Sequence, residues 1–132
     1  MREYKFRGRS IEPLVGDDQW LYGFGVHVVE LTDGGKECWL YTENGPYQVD
    51  PETVGQYTGL PDRNGKEIYE GDIVRGATDI FNQFTGKVVY AGARYVVDGI
   101  GKYAKIREEL PSSYEVIGSI YDNPDLLEGG YE

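Results

Sequence analysis

Nineteen glycines are scattered along the 132 residues, and no other feature limits the fold as much. Inside a helix each costs about 1 kcal/mol relative to alanine. Long helices are therefore disfavoured, and short strands joined by tight turns are expected. Tyrosine and valine point the same way, because they suit a pleated, half-buried surface. Trp20, Trp39, Phe24 and recurring Val/Ile/Tyr runs argue against disorder. Only the tail, Glu128 to Glu132, has little to bury and is expected to fray.

Alternation and turn chemistry divide the chain. Tyr4 and Phe6 share one face of an opening strand. From Trp20 to Leu31 the pattern alternates again, with Trp20, Tyr22, Phe24, Val26 and Val28 opposite Leu21, His27, Val29 and Leu31. Gly23 and Gly25 within it predict a bulge, a bend or the close approach of another backbone. Thr32-Asp33-Gly34-Gly35 predicts a hairpin turn, with Cys38 and Leu40 opposite Trp39 and Tyr41 on the return strand. Asp50 before Pro51 predicts a helical turn with Asp50 as N-cap.

Further along, Glu70-Gly71-Asp72 predicts a tight turn into the Ile73-Val74 strand. The loop from Gly76 to Thr85 carries two residues expected to be buried, Ile80 and Phe84. A hairpin is expected around Ala91-Gly92-Ala93, and a late strand over Ser113 to Tyr121. A final turn should start with Asn123 as N-cap and Pro124 at the first helical position. The resulting expectation is a mainly β protein. An N-terminal β subdomain over 1–58 is a hairpin region packed on a C-terminal subdomain over 59–132. The latter is expected to be a small SH3-like β-barrel, and one or two short helical turns complete the chain.

Charge and rare residues exclude several functions. Thirteen Lys and Arg against 23 Asp and Glu leave a formal charge of −10, which opposes general neutralisation of a nucleic-acid backbone. With a single Cys and a single His, neither an intrachain disulfide nor a His/Cys zinc site can form. No apolar run is long enough for a transmembrane helix, and the polar, basic start has no signal-peptide core. No cofactor is expected: Gly23-Phe24-Gly25 lacks the third glycine and the helix of a dinucleotide fingerprint.

The remaining candidates are each weighed against a plain structural role. His27 has no nucleophile motif beside it and reads as a partly buried strand residue. Cys38 reads as a packed or half-exposed strand thiol, since Glu37 offsets the nearby Lys36. Glu67, Glu70 and Asp72 form the densest carboxylate cluster, yet a turn around Gly71 explains them more simply than metal binding or acid–base work. The tyrosines are the most suggestive excess, because tyrosine buries much area at low entropic cost. Tyr57, Tyr69, Glu70, Asp72 and Tyr121 are the candidate interaction residues, and no catalytic residue is legible.

Three segments together resemble the YopX family of phage and prophage proteins. The first is Arg2 to Gly8 followed by Trp20-Leu21-Tyr22-Gly23. The second runs from Val49-Asp50-Pro51-Glu52-Thr53 through Tyr57-Thr58-Gly59-Leu60, Asp62 and Asn64-Gly65-Lys66 to Ile73-Val74. The third is Tyr114 to Leu127. The resemblance implies a small, mainly β protein of mobile-element origin in a bacterial cytoplasm. It implies no activity and supplies no catalytic residues.

The leading expectation is a non-enzymatic interaction module that binds a host or phage protein through an acidic, tyrosine-bearing surface. An acidic mimic of DNA is the alternative, and it needs carboxylates spaced along one face like phosphates. A small enzyme or ligand-binding protein built on Glu67, Glu70 and Asp72 is the third reading. Direct nucleic-acid binding comes last, resting on Lys87, Arg94, Lys102, Lys105 and Arg107. No membrane partner is expected, and exposed β edges would suit a homo-oligomer.

Overall fold

The computed structural model describes residues 4–111 and 113–128. The tail beyond Glu128, expected to fray, lies outside the described residues. The chain divides into two compact units, Met1–Tyr57 and Thr58–Glu132. Strands and short 3-10 turns make up all the regular structure among the described residues, in line with the mainly β expectation. Among the described residues no helix is long and apolar enough to cross a membrane.

In the first unit, β1 (Phe6–Arg9) pairs antiparallel with β2 (Trp20–Gly23) on one side. On its other side β1 pairs with the start of β6 (Gly55–Pro61). A separate sheet has the order β3 (Gly25–Glu30), β4 (Lys36–Thr42), β5 (Gly45–Val49). The β3–β4 turn forms as its residues dictate: Asp33 Oδ1 accepts from Gly35 N at 2.8 Å. Asp50 caps the 3-10 turn Pro51–Thr53, its side chain accepting from Glu52 N at 3.1 Å.

The alternating stretch from Trp20 to Leu31 bends at Phe24, between the two glycines, where the chain leaves one sheet and enters the other. Side-chain parity changes at this corner. Leu21 and Val26, on opposite faces by alternation, both pack against the core of Cys38, Leu40 and Val49. The glycine pair explains the corner only at Gly23, where a Cβ would overlap the carbonyl oxygen of Tyr41. That same oxygen accepts from Phe24 N at 2.9 Å.

The second unit holds a five-stranded antiparallel sheet of order β11 (Arg107–Glu109), β10 (Arg94–Gly99), β9 (Phe84–Ala91), β8 (Asp72–Gly76), β12 (Glu115–Ser119). β7 (Glu67–Tyr69) is not part of this sheet but neighbours β6, where Thr58 Oγ1 donates to the Ile68 carbonyl at 2.8 Å. The core is Ile68, Val74, Phe84, Val88, Val97, Leu110 and Tyr114. Phe81, Phe84 and Tyr103 form an aromatic group with centroids 5.1–5.7 Å apart.

Closure into an SH3-like barrel does not occur. β11 and β12 stand at opposite ends of the sheet with no ladder between them. A barrel needs its last strands to pair along a staggered register, and β11 is only three residues long. Ile80, expected to be buried, is 78% exposed, whereas Phe84 is fully buried. The late strand also differs from simple alternation, because a register shift between Val116 and Gly118 inserts one extra residue. After β10 the chain forms the 3-10 turn Gly101–Tyr103 and then β11. Asn123 precedes the last 3-10 turn, Pro124–Glu128, but its side-chain oxygen turns back to accept from Ser119 N at 3.1 Å.

Candidate functional site

The carboxylate and tyrosine cluster around Gly71 forms a structural knot. Asp72 is 2% exposed, and its Oδ2 accepts from Tyr69 N at 2.8 Å. The Tyr69 hydroxyl donates to Glu67 Oε1, also at 2.8 Å, and Tyr69 itself is buried. Gly71 has φ +93°, and a Cβ there would lie 2.8 Å from the Tyr121 ring. Ile120 N donates to the Gly71 carbonyl at 2.9 Å, so the turn is fastened to the segment after β12. Tyr69, Glu70, Asp72 and Tyr121 are thus gathered along one turn. Burial removes Tyr69 and Asp72 from a partner's reach, while Glu70 and Tyr121 stay half-buried. Tyr57 is half-buried in the first unit, with the Lys5 ammonium 5.7 Å from its ring centroid. Among the described residues no three His, Cys, Asp or Glu side chains converge as a metal set.

Asp62 has a similar structural role. Its Oδ1 accepts from Asn64 N at 2.8 Å and Lys66 N at 2.9 Å, and its Oδ2 accepts from Val116 N at 3.0 Å. Burial pushes this carboxyl up, but the three backbone N–H groups and the Lys66 charge outweigh that and hold it below the usual range. Asp62 is 5% exposed, so it cannot join a phosphate-like surface row.

Cys38 is packed in the first unit's core, where burial pushes its thiol up; the Lys36 charge opposes this and Asp50 adds to it. His27, expected to be partly buried, is instead exposed. The reason is the change of parity at Phe24, which turns the His27 side of β3 away from the core.

The outer face of the three-stranded sheet exposes several aromatic and apolar side chains. Directly opposed residues of antiparallel strands share a face. One row runs His27, Trp39, Gln48 across the three strands, and the next runs Gly25, Tyr41, Pro46. Val29 and Glu37 complete the face. Tyr41 is 39% exposed, His27 and Pro46 are exposed, and Trp39 is half-buried with its indole N–H 3.4 Å from Glu37 Oε1. The opposite face carries the buried Cys38, Leu40 and Val49. Candidate lists built from tyrosine excess alone missed His27, Trp39 and Pro46. The hairpin turn at Asp33-Gly34 was the available signal, since it sets the register that aligns them.

Of the nearby carboxylates, Glu37 lies on this face, Asp33 and Glu43 sit in the turns at its two ends, and Glu30 opposes Lys36 on the other face. Between Gly25 and Val49 the chain carries Glu30, Asp33, Glu37 and Glu43 against one cation, Lys36. An aromatic centre with carboxylates beside it can hold apolar stems and attract the cationic ends of a partner's side chains.

The model of the family described as YopX protein matches residues 23–128. A Protein pelota homolog of Methanosphaerula palustris is 32% identical over 82 residues, which are 62% of this chain. The match spans only 23% of that protein's length. The crystal structure of protein EF1440 from Enterococcus faecalis is similar with a TM-score of 0.45 and 24% identity, over 95% of this chain and 98% of that one.

Proposed function

The chain belongs to the YopX family, and from that premise we propose that it acts as a non-enzymatic interaction module for a protein with a basic surface. Family membership suggests a phage-type protein and names no chemistry. The observation that carries the reading is the two adjacent rows that bring His27, Trp39, Tyr41 and Pro46 to the outer face of the three-stranded sheet, with Glu37 on that face and Asp33 and Glu43 in the turns beside it. Aromatic anchors inside a polar rim are the usual source of binding energy at protein interfaces. The −10 charge favours encounter with cationic partners. The setting is expected to be the cytoplasm of a bacterial host, and the partner a host or phage protein.

A photoreactive phenylalanine analogue at His27, expressed in bacterial cells, tests this. A cross-linked basic protein should form, should diminish as salt rises, and should vanish when Tyr41→Ala and Pro46→Ala are combined. The same analogue at the exposed Tyr90 serves as control. Adducts of equal yield at both positions, or adducts indifferent to the double substitution, would overturn the reading. Circular dichroism of the variant separates lost contact from lost fold.

A further inference from the structure

A second surface, on the five-stranded sheet, carries the opposite charge. Lys87 on β9 stands directly opposite Asp98 on β10, which stands opposite Arg107 on β11. Arg107 grips Asp98 through two bonds, Nε to Oδ1 at 2.6 Å and one terminal nitrogen to Oδ2 at 3.1 Å. The Arg107 hydrogen bond holds the Asp98 carboxyl below the usual range, so Asp98 stays ionised and cancels one cation. Beside this row the chain turns after Tyr103, and Lys105 adopts φ +72°. Only one other described non-glycine residue, Ala93, has a positive φ, and its hairpin turn demands it.

These residues line a cavity of about 340 Å³ with Gly99 and Ile106. The turn is held in place by Gly99 N donating to the Ile106 carbonyl at 2.7 Å. A Cβ on residue 99 would overlap the Tyr103 carbonyl oxygen, so only glycine allows the turn to close over the strand. Among the described residues neither Lys87 nor Lys105 forms an ion pair within 4.0 Å. Lys87 is half-buried and its charge is offset only by Asp98, whose carboxylate is already gripped by Arg107.

We propose that this cavity binds the phosphate group of a small phosphorylated ligand. Two ammonium groups from different elements converge on one concavity, and Arg107, fixed by Asp98, still has a free guanidinium nitrogen. The volume is at the lower end for small-molecule sites, large enough for phosphate and part of an attached group. A long nucleic acid is the less favoured occupant, because its neighbouring phosphates would meet a chain of charge −10. The left-handed Lys105 has a functional reason on this reading: the strained backbone carries the cation at the mouth.

Titration of the full chain with adenosine monophosphate, followed by amide NMR, tests the proposal. Saturable shifts should cluster at Lys87, Gly99, Lys105, Ile106 and Arg107, and adenosine should leave them unmoved. Lys87→Gln and Lys105→Gln should each weaken binding about tenfold. Lys105→Gly should lose affinity equally while raising the midpoint of thermal unfolding, because strain is relieved as the cation is removed. The absence of saturable shifts would overturn the proposal, as would shifts spread over all cations. A single-stranded oligonucleotide binding more tightly than its phosphate count accounts for would also overturn it, in favour of a nucleic-acid surface. The arms leave the aromatic face of the other unit untouched, so failure here is distinct from failure there.

Discussion

Tyr114 shows what a single atom costs in a small core. Its ring fills the second unit's core at 1% exposure, but its hydroxyl oxygen has no hydrogen-bond partner among the described residues. Burial pushes the phenol up to about 12, with the Glu108 charge adding to it. An unsatisfied buried hydroxyl costs about 1–3 kcal/mol. Tyr114→Phe should therefore leave urea stability unchanged or raise it, and a loss would show that the hydroxyl is satisfied in solution. Gly23 makes the opposite case. Adding a methyl group would drive it into the Tyr41 carbonyl oxygen, so Gly23→Ala should destabilise the first unit by about 1–3 kcal/mol, read from the denaturation midpoint. Gly25, with nothing within 4 Å of its Cβ position, should accept alanine with little change.

At the scale of elements, two turns are informative. The β9–β10 hairpin closes through Gly92 at φ +62° and Ala93 at φ +69°, the pattern of a type I′ turn. Alanine is a poor choice for the second position, so Ala93→Gly should stabilise by up to about 1 kcal/mol, visible as a higher melting temperature. The Asp62 turn ties β6 and β7 to β12 across 54 residues of sequence. Asp62→Asn replaces an acceptor by a donor facing backbone N–H groups and should cost about 1–3 kcal/mol.

The pH dependence follows from the same residue. Its folded carboxyl titrates below the unfolded value, so the stabilisation is complete above about pH 4 and is lost as pH falls through the lower folded value. Urea titrations at pH 7 and pH 3 should show the wild type losing stability with acid. The Asp62→Asn variant should lose less. The Gly71 turn, the Asp50 cap and the Asp33 turn were all legible beforehand, because each depends on residues within four positions of one another. Asn123 was legible as a boundary but not in its bonding, since its oxygen turns back to Ser119 at the end of β12.

For the whole molecule, charge is shared between the units: five cations against ten carboxylates in residues 1–57, and eight against thirteen in 58–132. An acidic chain of this kind should bind a basic partner less tightly as ionic strength rises, with the loss mainly in the association rate. Stopped-flow measurement at low and high salt would show it, and a salt-independent rate would point to a purely apolar contact.

What the amino-acid sequence determined by itself was the class of fold, the placing of most turns and the family. These depend on residue type and on chemistry that acts over a few positions. Tertiary structure alone decided the change of sheet at Phe24, the open five-stranded sheet, the burial of Tyr69 and Asp72 and the exposure of Ile80. It also aligned His27 with Trp39, and Lys87 with Asp98 and Arg107. Each of these depends on which strand lies beside which, and strand pairing is set by contacts between residues far apart in the chain. A one-residue change of register exchanges the faces of a strand, so alternation could name two sides of each strand without saying which one meets the core.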